Sequence, residues 1–543
     1  MTKKILLGNE AIVQGALEAG VQFVSAYPGT PSSEIGMIFS KIAKENGLYF
    51  EFSTNEKTAM EAGIGASFSG LKTLVSMKNF GLNVASDAFL PFVYTGTKGP
   101  AVIVVADDPS CHSSGQSEEN TRGFAELAHV PILEPSDAQE AKEFTKLGFE
   151  ISEKYSLPVI LRITTRVAHQ RMHVTTSQRA IAKDQTSGAF APDKNKFVTM
   201  PPRVLEMKKE LLCKIKSLQK ESEKLAFFKK GNKKNLGIIT SGVSFLYVKE
   251  VLEKLNLDLP ILKVGMFYPY PEKKIASFIS NLKQVLIIEE LEGFIEDKVK
   301  QVAKDSNCRL KIHGKDWLPS TGELNTEKVF SAVARLLGLK TKNKTKNPEF
   351  KIPLRFPRLC QGCPYWLSFA AIMKMAPKGT IFGGDIGCYM LAGFPPHEMQ
   401  DYLLCMGSSI GIGHGIKKAT GGRQKLVAFI GDSTFFHAGI PALINAVYNK
   451  SSLLVIVLDN RITAMTGHQP NPGMGKTGLG EVSEDIKIED IARACGVKNV
   501  KTIDPLQVEE LQKTIKEFLE KEEVSVIVSR RICAYYERKI KKT

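Results

Sequence analysis

Residues 426–467 read LVAFIGDSTFFHAGIPALINAVYNKSSLLVIVLDNRITAMTG. An apolar, strand-like run ends in Gly431-Asp432-Ser433, a helical segment follows, and a second apolar run, LLVIVLDN, delivers Asn460 twenty-eight positions after Asp432. Asp432 and Asn460 are therefore expected at the carboxyl ends of two strands. In open α/β sheets ligands bind at that edge, and a helix N-terminus just beyond it favours phosphate. An Asp carboxylate and an Asn amide oxygen are hard oxygen ligands, suited to a Mg²⁺ ion that shares its other positions with a diphosphate. A Rossmann-like turn with a structural Asp and Asn would read the same way, so the rest of the chain must decide.

At 543 residues the chain is too long for one core and predicts several domains. Its 43% hydrophobic and 24% charged content is that of an ordinary globular protein. The longest apolar runs stop far short of the roughly 20 residues that span a bilayer, and MTKKILLGNEAIV is no secretory leader. A cytoplasmic protein without a membrane segment is expected. The net charge of +16 falls largely in two polar, lysine-rich stretches rather than on a basic patch with interleaved aromatics. No nucleic-acid partner is expected; solvated lysines or docking of an acidic electron carrier explain the charge. The nine cysteines are sparse before residue 350 and then gather at 360, 363, 388 and 405, which suits metal or redox use better than a disulfide framework.

The first 180 residues alternate apolar strands with helical patterns: VQFVSAYPGTPSSEI, KTLVSMKNFGLNVASDAF, AVIVVADDPSCHSS and LPVILRITT each put short polar residues after a strand. That alternation predicts a parallel sheet covered on both faces. Residues 181–234 read as a linker and a charged, solvated helix. A second βαβ series, NLGIITSG to QVLIIEE, fills 235–340, and KTKNKTKNPEFKIP is a further linker. The last domain, 350–543, contains the cysteine pair and the Asp432–Asn460 stretch.

With all of these segments in view, Gly431-Asp432-Ser433 followed downstream by Asn460 resembles the thiamine diphosphate signature. The segments LLGNEAIVQGALEAGVQ, YPGTPSSEI, STNEKTAMEAGIGAS, GLNVASD, VVADDPSCHSS, LEPSDAQEAK, LRITTRVAHQR, GDIGCYMLAG, CMGSSIGIGHG and GDSTFFHAGIPALINAVYN resemble, in order and over nearly the whole chain, the alpha subunits of indolepyruvate ferredoxin oxidoreductase. The resemblance implies a multidomain α/β fold. A pyrimidine-binding domain (1–180) and a diphosphate-binding domain (350–543) would flank a transketolase C-terminal-like α/β domain (235–340).

It also implies roles for residues. Glu56, in STNEKTA, matches the carboxylate that hydrogen-bonds the aminopyrimidine and so promotes loss of the thiazolium C2 proton; Glu51 and Glu61 lie close enough to mislead the register. Asp385, Gly407, Ser408, Gly431 and Ser433 match cofactor-binding positions. Asp432, Asn460 and the Ile462 carbonyl match the Mg²⁺ ligands. Thr30 matches a residue that contacts the keto acid, and His112, Ser113 and Ser114 stand at another strand end; all four double as turn or cap residues. His414 and His437 read as helix histidines rather than bases. Cys360, Cys363, Cys388 and Cys533 resemble the ligands of a proximal 4Fe-4S cluster, with Cys405 a rival for the fourth position and a buried structural set or a zinc site as alternatives.

Two departures from the family stand out. A ferredoxin-like tail with two cysteine quartets is expected after the last domain, yet the sequence ends at CAYYERKIKKT; electrons would leave directly, through a separate ferredoxin, or through a partner subunit. Asn79 stands in MKNFGLN where the family carries His, and Asn does not titrate near neutral pH. The activity implied is oxidative decarboxylation of an aryl 2-oxo acid with coenzyme A to acyl-CoA and CO₂, with electrons passing to ferredoxin. A smaller beta subunit, in a dimer of heterodimers, is the implied partner. A non-redox thiamine diphosphate-dependent decarboxylase or carboligase is the competing enzyme, and a non-catalytic scaffold the reading from another class.

Overall fold

In the computed structural model the described residues are 2–177, 188–233, 235–339, 353 and 355–541. The boundary expected near residue 180 and the linker expected at 340–353, Pro353 excepted, lie outside them. The chain divides into two compact units, Met1–Glu349 and Phe350–Thr543.

The first unit is built on a seven-stranded sheet in the spatial order Met266–Tyr268, Ile132–Leu133, Val159–Thr164, Ala101–Asp107, Thr73–Lys78, Phe23–Ala26, Tyr49–Phe52. All neighbours are parallel except the first pair. The central strands Ala101–Asp107 and Val159–Thr164 are buried along their whole length, as a parallel sheet covered on both faces requires. A second sheet of the same unit runs Lys311–His313, Gln284–Ile288, Leu236–Ser241, Ile261–Val264, Phe227–Lys229, parallel but for its last strand. Thus Met266–Tyr268, which follows the second sheet's Ile261–Val264 in the chain, adds to the first sheet.

The charged run after residue 200 is helical, Arg203–Leu225, but it is not fully solvated. Met207, Leu211, Ile215 and Leu218 recur at helical spacing and are buried, while Lys209 and Lys216 between them are exposed. Charge density dominated the sequence pattern; the apolar stripe decided the packing.

Buried ion pairs link the two sheets of this unit. The Arg122 guanidinium donates to both Glu134 carboxylate oxygens at 2.6 and 2.7 Å, to Glu289 at 2.8 Å and to Ser241 Oγ at 2.6 Å. Arg162 donates to Asp107 at 2.7 Å and to Glu134 at 3.1 Å.

The second unit holds a five-stranded, all-parallel sheet in the order Ile381–Gly383, Leu426–Gly431, Leu454–Asp459, Ser525–Arg530, Asn499–Ile503. Because every strand runs the same way, the residues that follow them share one edge: Asp385, Asp432, Asn460 and Cys533. Among the described residues no helix is long and apolar enough to cross a membrane.

Candidate functional site

In the first unit, parallel pairing brings Thr30, Glu56, Lys78, Asn79 and the loop 108–114 to the carboxyl edge of the sheet. Glu56 opens the helix Glu56–Phe68; Asn55 caps it by accepting from the Thr58 amide at 2.8 Å. Glu56 is only 6% exposed, although Glu is normally a surface residue. Gly81 makes room for it: a Cβ there would lie 2.6 Å from Glu56 Cγ. Glu61, by contrast, is exposed and paired with Lys57, and Glu51 accepts from Tyr49 Oη and Ser53 Oγ.

Asp108 organises the loop beyond the Ala101–Asp107 strand. One carboxylate oxygen accepts from the Ser113 amide at 2.7 Å and from Ser114 Oγ at 2.8 Å; the other accepts from Thr165 Oγ1 at 2.5 Å. Ser110 and Cys111, inside this loop, have positive φ angles of 68° and 52°, a conformation that non-glycine residues adopt only when their surroundings impose it. Ser114 is buried, Ser113 is exposed, and His112 is exposed with Nε2 3.7 Å from Glu323. Thr30 is half-buried, its hydroxyl 3.5 Å from Ser33 Oγ. Asn79 is 2% exposed and its Oδ1 has no hydrogen-bond partner among the described residues.

In the second unit, Asp432 begins a short helical turn, Asp432–Thr434, which passes through a π-turn, Phe435–Gly439, into the helix Ile440–Tyr448. Such a bulge widens a helix locally and often marks functional sites. Asp432, Asn460 and Ile462 are all buried. Asn460 Oδ1 accepts from the Ile462 amide at 3.1 Å, and Asp432 accepts from Asn471 Nδ2 at 2.9 Å. Ser433 Oγ accepts from Thr463 Oγ1 at 2.9 Å. Burial, reinforced by the charge of Asp459, pushes the Asp432 carboxyl up to about 8. Asp459 has Arg530 beside it at 2.6 Å, whereas Asp432 has no ion-pair partner among the described residues. A buried acid of this kind, next to two amide side chains, is a donor set that a divalent cation would complete.

Asp385 is fully buried and accepts from the backbone amides of Ile386 at 2.7 Å, Gly407 at 2.9 Å and Ser409 at 3.0 Å. Burial still wins over these bonds and raises its carboxyl to about 6. Asp385 therefore acts on the Gly407–Ser408 turn, where Gly407 takes a positive φ of 83° and a Cβ would meet Ala438 at 2.6 Å. Ser408 Oγ donates to the Cys405 carbonyl at 2.7 Å. Ser409 Oγ and His414 Nδ1 are buried without hydrogen-bond partners among the described residues, and His437 is buried in the π-turn.

Cys360 and Cys363 close a tight turn, the Cys363 amide donating to the Cys360 carbonyl at 3.1 Å with Gly362 at φ 79°. Burial lifts the Cys363 thiol to about 11 and the Cys388 thiol to about 12; in each case neighbouring cysteines, Cys533 among them, push further the same way. Among the described residues no three His, Cys, Asp or Glu side chains are arranged to hold a metal ion.

Sequence reading missed Lys78 and Asn471. Lys78 lies in the MKNFGLN stretch, where only Asn79 stood out, whereas Asn471-Pro472-Gly473 carries a turn signature in which the Asn471 side-chain Oδ1 accepts from the Gly473 amide at 3.0 Å.

Comparison with known proteins agrees with this picture. Residues 385–529 match the thiamine pyrophosphate enzyme C-terminal TPP-binding domain. Residues 14–229 match the thiamine diphosphate-binding domain of pyruvate flavodoxin/ferredoxin oxidoreductases. Residues 227–344 match the indolepyruvate oxidoreductase domain. Two α/β units with thiamine diphosphate-binding domains define the class: a thiamine diphosphate-dependent oxidoreductase acting on 2-oxo acids.

Indolepyruvate oxidoreductase subunit IorA of Methanothermobacter thermautotrophicus is 46% identical over 543 residues, covering 98% of this chain and 87% of the relative. Its counterpart in Thermococcus kodakarensis is 44% identical over 557 residues, covering 98% and 86%. The chain belongs to the indolepyruvate oxidoreductase IorA family. A solved 2-oxoglutarate:ferredoxin oxidoreductase from Magnetococcus marinus shares the fold over 62% of this chain and 65% of its own, with a TM-score of 0.50 and 17% identity.

Proposed function

We propose that this chain is the alpha subunit of an enzyme that oxidatively decarboxylates an aryl 2-oxo acid, indolepyruvate-like, with coenzyme A, yielding acyl-CoA and CO₂. Ferredoxin is the electron acceptor, and a proximal 4Fe-4S cluster would supply the one-electron chemistry; the chain works in the cytoplasm with a smaller beta subunit, as a dimer of heterodimers. The observation that carries the reading is Asp432, a buried carboxyl with no Lys or Arg partner among the described residues, at the same edge of a parallel sheet as Asn460. When bound, thiamine diphosphate supplies a carbon nucleophile and an electron sink.

The chain's residues do the rest. Glu56, buried in the space that Gly81 leaves open, would hold a proton at the pyrimidine N1′ atom of the bound cofactor, which favours loss of the C2 proton. Asp432, Asn460 and the Ile462 carbonyl would hold Mg²⁺, which would supply the positive charge that binds the diphosphate. Gly431, Ser433 and the Gly407–Ser408 turn, held by Asp385, bring backbone amides close to the cofactor. Thr30, Ser114 and their neighbours Ser113 and His112 meet the substrate. Cys360, Cys363, Cys388 and Cys533 are the residues that would hold the cluster; a net charge of +16 suits an acidic carrier protein.

The second reading is a non-redox decarboxylase or carboligase, which the raised, neutral thiols of Cys363 and Cys388 would suit as structural cysteines. Anaerobic turnover of indolepyruvate, phenylpyruvate, pyruvate and 2-oxoglutarate, with and without coenzyme A and the partner subunit, tests the proposal. Coenzyme A-dependent reduction of ferredoxin with an aryl substrate is expected. Aldehyde release without reduction would select the second reading.

A further inference from the structure

Lys78 is the last residue of the strand Thr73–Lys78, at the sheet edge that carries Thr30, Glu56 and the Asp108–Ser114 loop. Its stem lies against Gly29, the residue before Thr30: a Cβ on Gly29 would stand 3.0 to 3.2 Å from three of its carbons. Its ammonium donates to Ser114 Oγ at 2.8 Å and to the Ser113 carbonyl at 3.3 Å, and sits 4.7 Å from the centre of the Phe80 ring. An ammonium has three donors, so two bonds to neutral oxygens leave one to spend. Lys78 has no ion-pair partner among the described residues. The titratable groups that face it are Asp108, Cys111, Glu56 and Glu119, and burial together with the nearby carboxylates keeps the Cys111 thiol neutral. Asp108 is already committed to Ser113, Ser114 and Thr165. From Asp107 to Asn120 the neighbouring loop contains no lysine or arginine. Beside it Asn79 leaves a buried amide oxygen without a donor.

A half-buried cation with a spare donor, set between a Thr-bearing turn and a serine loop, is suited to a small carboxylate. We propose that Lys78 is the specificity residue that binds the carboxylate of the 2-oxo acid, Ser114 holding its ammonium in place. This rests on the 2-oxo-acid reading above. The other role open to Lys78 is to clamp the Ser113–Ser114 loop, and the two roles differ in what they do to substrate affinity.

The test uses the whole enzyme, with thiamine diphosphate, Mg²⁺ and its partner subunit, as Lys78→Met and Lys78→Arg. Losing a charge-assisted hydrogen bond in a partly dry site raises KM about 10- to 100-fold, with a smaller change in kcat. Lys78→Arg regains part of that loss. The substrate-free exchange of the cofactor C2 proton and the melting temperature stay at wild-type values. An unchanged KM with a lowered melting temperature makes Lys78 a clamp and overturns the proposal. Loss of C2 exchange overturns it too, by placing Lys78 with Glu56. If Lys78→Met fails to fold, Lys78→Gln is read in the same way. Wild-type enzyme inactive on every 2-oxo acid brings down the underlying reading, whereas active wild type with an equally active Lys78→Met removes the role of Lys78 alone.

Discussion

The backbone amide of Cys533 donates to the carbonyl oxygen of Asn460 at 3.2 Å. The two residues follow adjacent parallel strands, Ser525–Arg530 and Leu454–Asp459, whose last residues, Arg530 and Asp459, are in register. One hydrogen bond thus fixes a candidate cluster thiol to the loop that carries a candidate metal ligand. Cys405 lies on a different loop and is tied to Ser408 instead.

That relation ranks the cysteines. Anaerobically purified protein is expected to carry about four irons and as many sulfides per chain. Cys360→Ser, Cys363→Ser, Cys388→Ser and Cys533→Ser should each lose most of that iron, and Cys405→Ser should keep it. Iron retained by Cys533→Ser but lost by Cys405→Ser would reverse the assignment of the fourth ligand. Zinc in place of iron would end the redox reading.

Asp432→Asn separates metal binding from folding. Neutralising a buried, uncompensated carboxyl removes a desolvation cost, so the metal-free variant should melt no lower than the wild type. Titration calorimetry should nonetheless show that Mg²⁺ no longer tightens thiamine diphosphate binding, a loss on the order of 100-fold. Equal Mg²⁺-dependent affinity in the variant would remove Asp432 from the metal site.

Glu56→Gln keeps shape and takes away the carboxylate. C2 proton exchange should fall by about 10²-fold or more while diphosphate binding holds. Gly81→Ala approaches the same carboxylate from outside: the new methyl group collides with Glu56 Cγ, so exchange should slow in a chain whose Glu56 is intact. Normal exchange in both variants, followed by NMR in D₂O, would point to a different acid.

The strand-to-polar-residue pattern was enough to read parallel sheets and to place Asp432, Asn460 and Thr30 at carboxyl edges, because strand period and chain direction are local properties. The same reasoning could not see the helix Arg203–Leu225 bury its stripe of Met207, Leu211, Ile215 and Leu218, since a lysine-rich surface masks an apolar face four residues wide. Nor could it find Lys78 or Asn471, whose roles depend on partners at 114 and 432 that only the folded chain supplies. Asp385 was legible as a site residue but not as the brace of the Gly407 turn, which requires knowing that three backbone amides converge on it.

Glu290 offers a test of how the two sheets of the first unit are joined. It is buried, accepts from the Leu324 amide at 3.0 Å, and its carboxyl is raised to about 7 from an ordinary 4.5, chiefly by burial and partly by the charge of Glu323. Between those values the folded chain holds a proton that the unfolded chain has released, so stability should fall as pH rises through the window and stay low above it. Glu290→Gln keeps the acceptor for Leu324 and cannot ionise. Its melting temperature should be flatter than that of the wild type from about pH 5 to 8, and higher at the upper end. Arg122→Met, in contrast, takes the guanidinium from Glu289 and leaves Glu134 with Arg162 alone, and should lower stability by about 3–5 kcal/mol. Parallel wild-type and Glu290→Gln melting curves across that pH range would show that Glu290 is ionised in the folded protein throughout, and that the Arg122 and Arg162 guanidinium groups outweigh its burial.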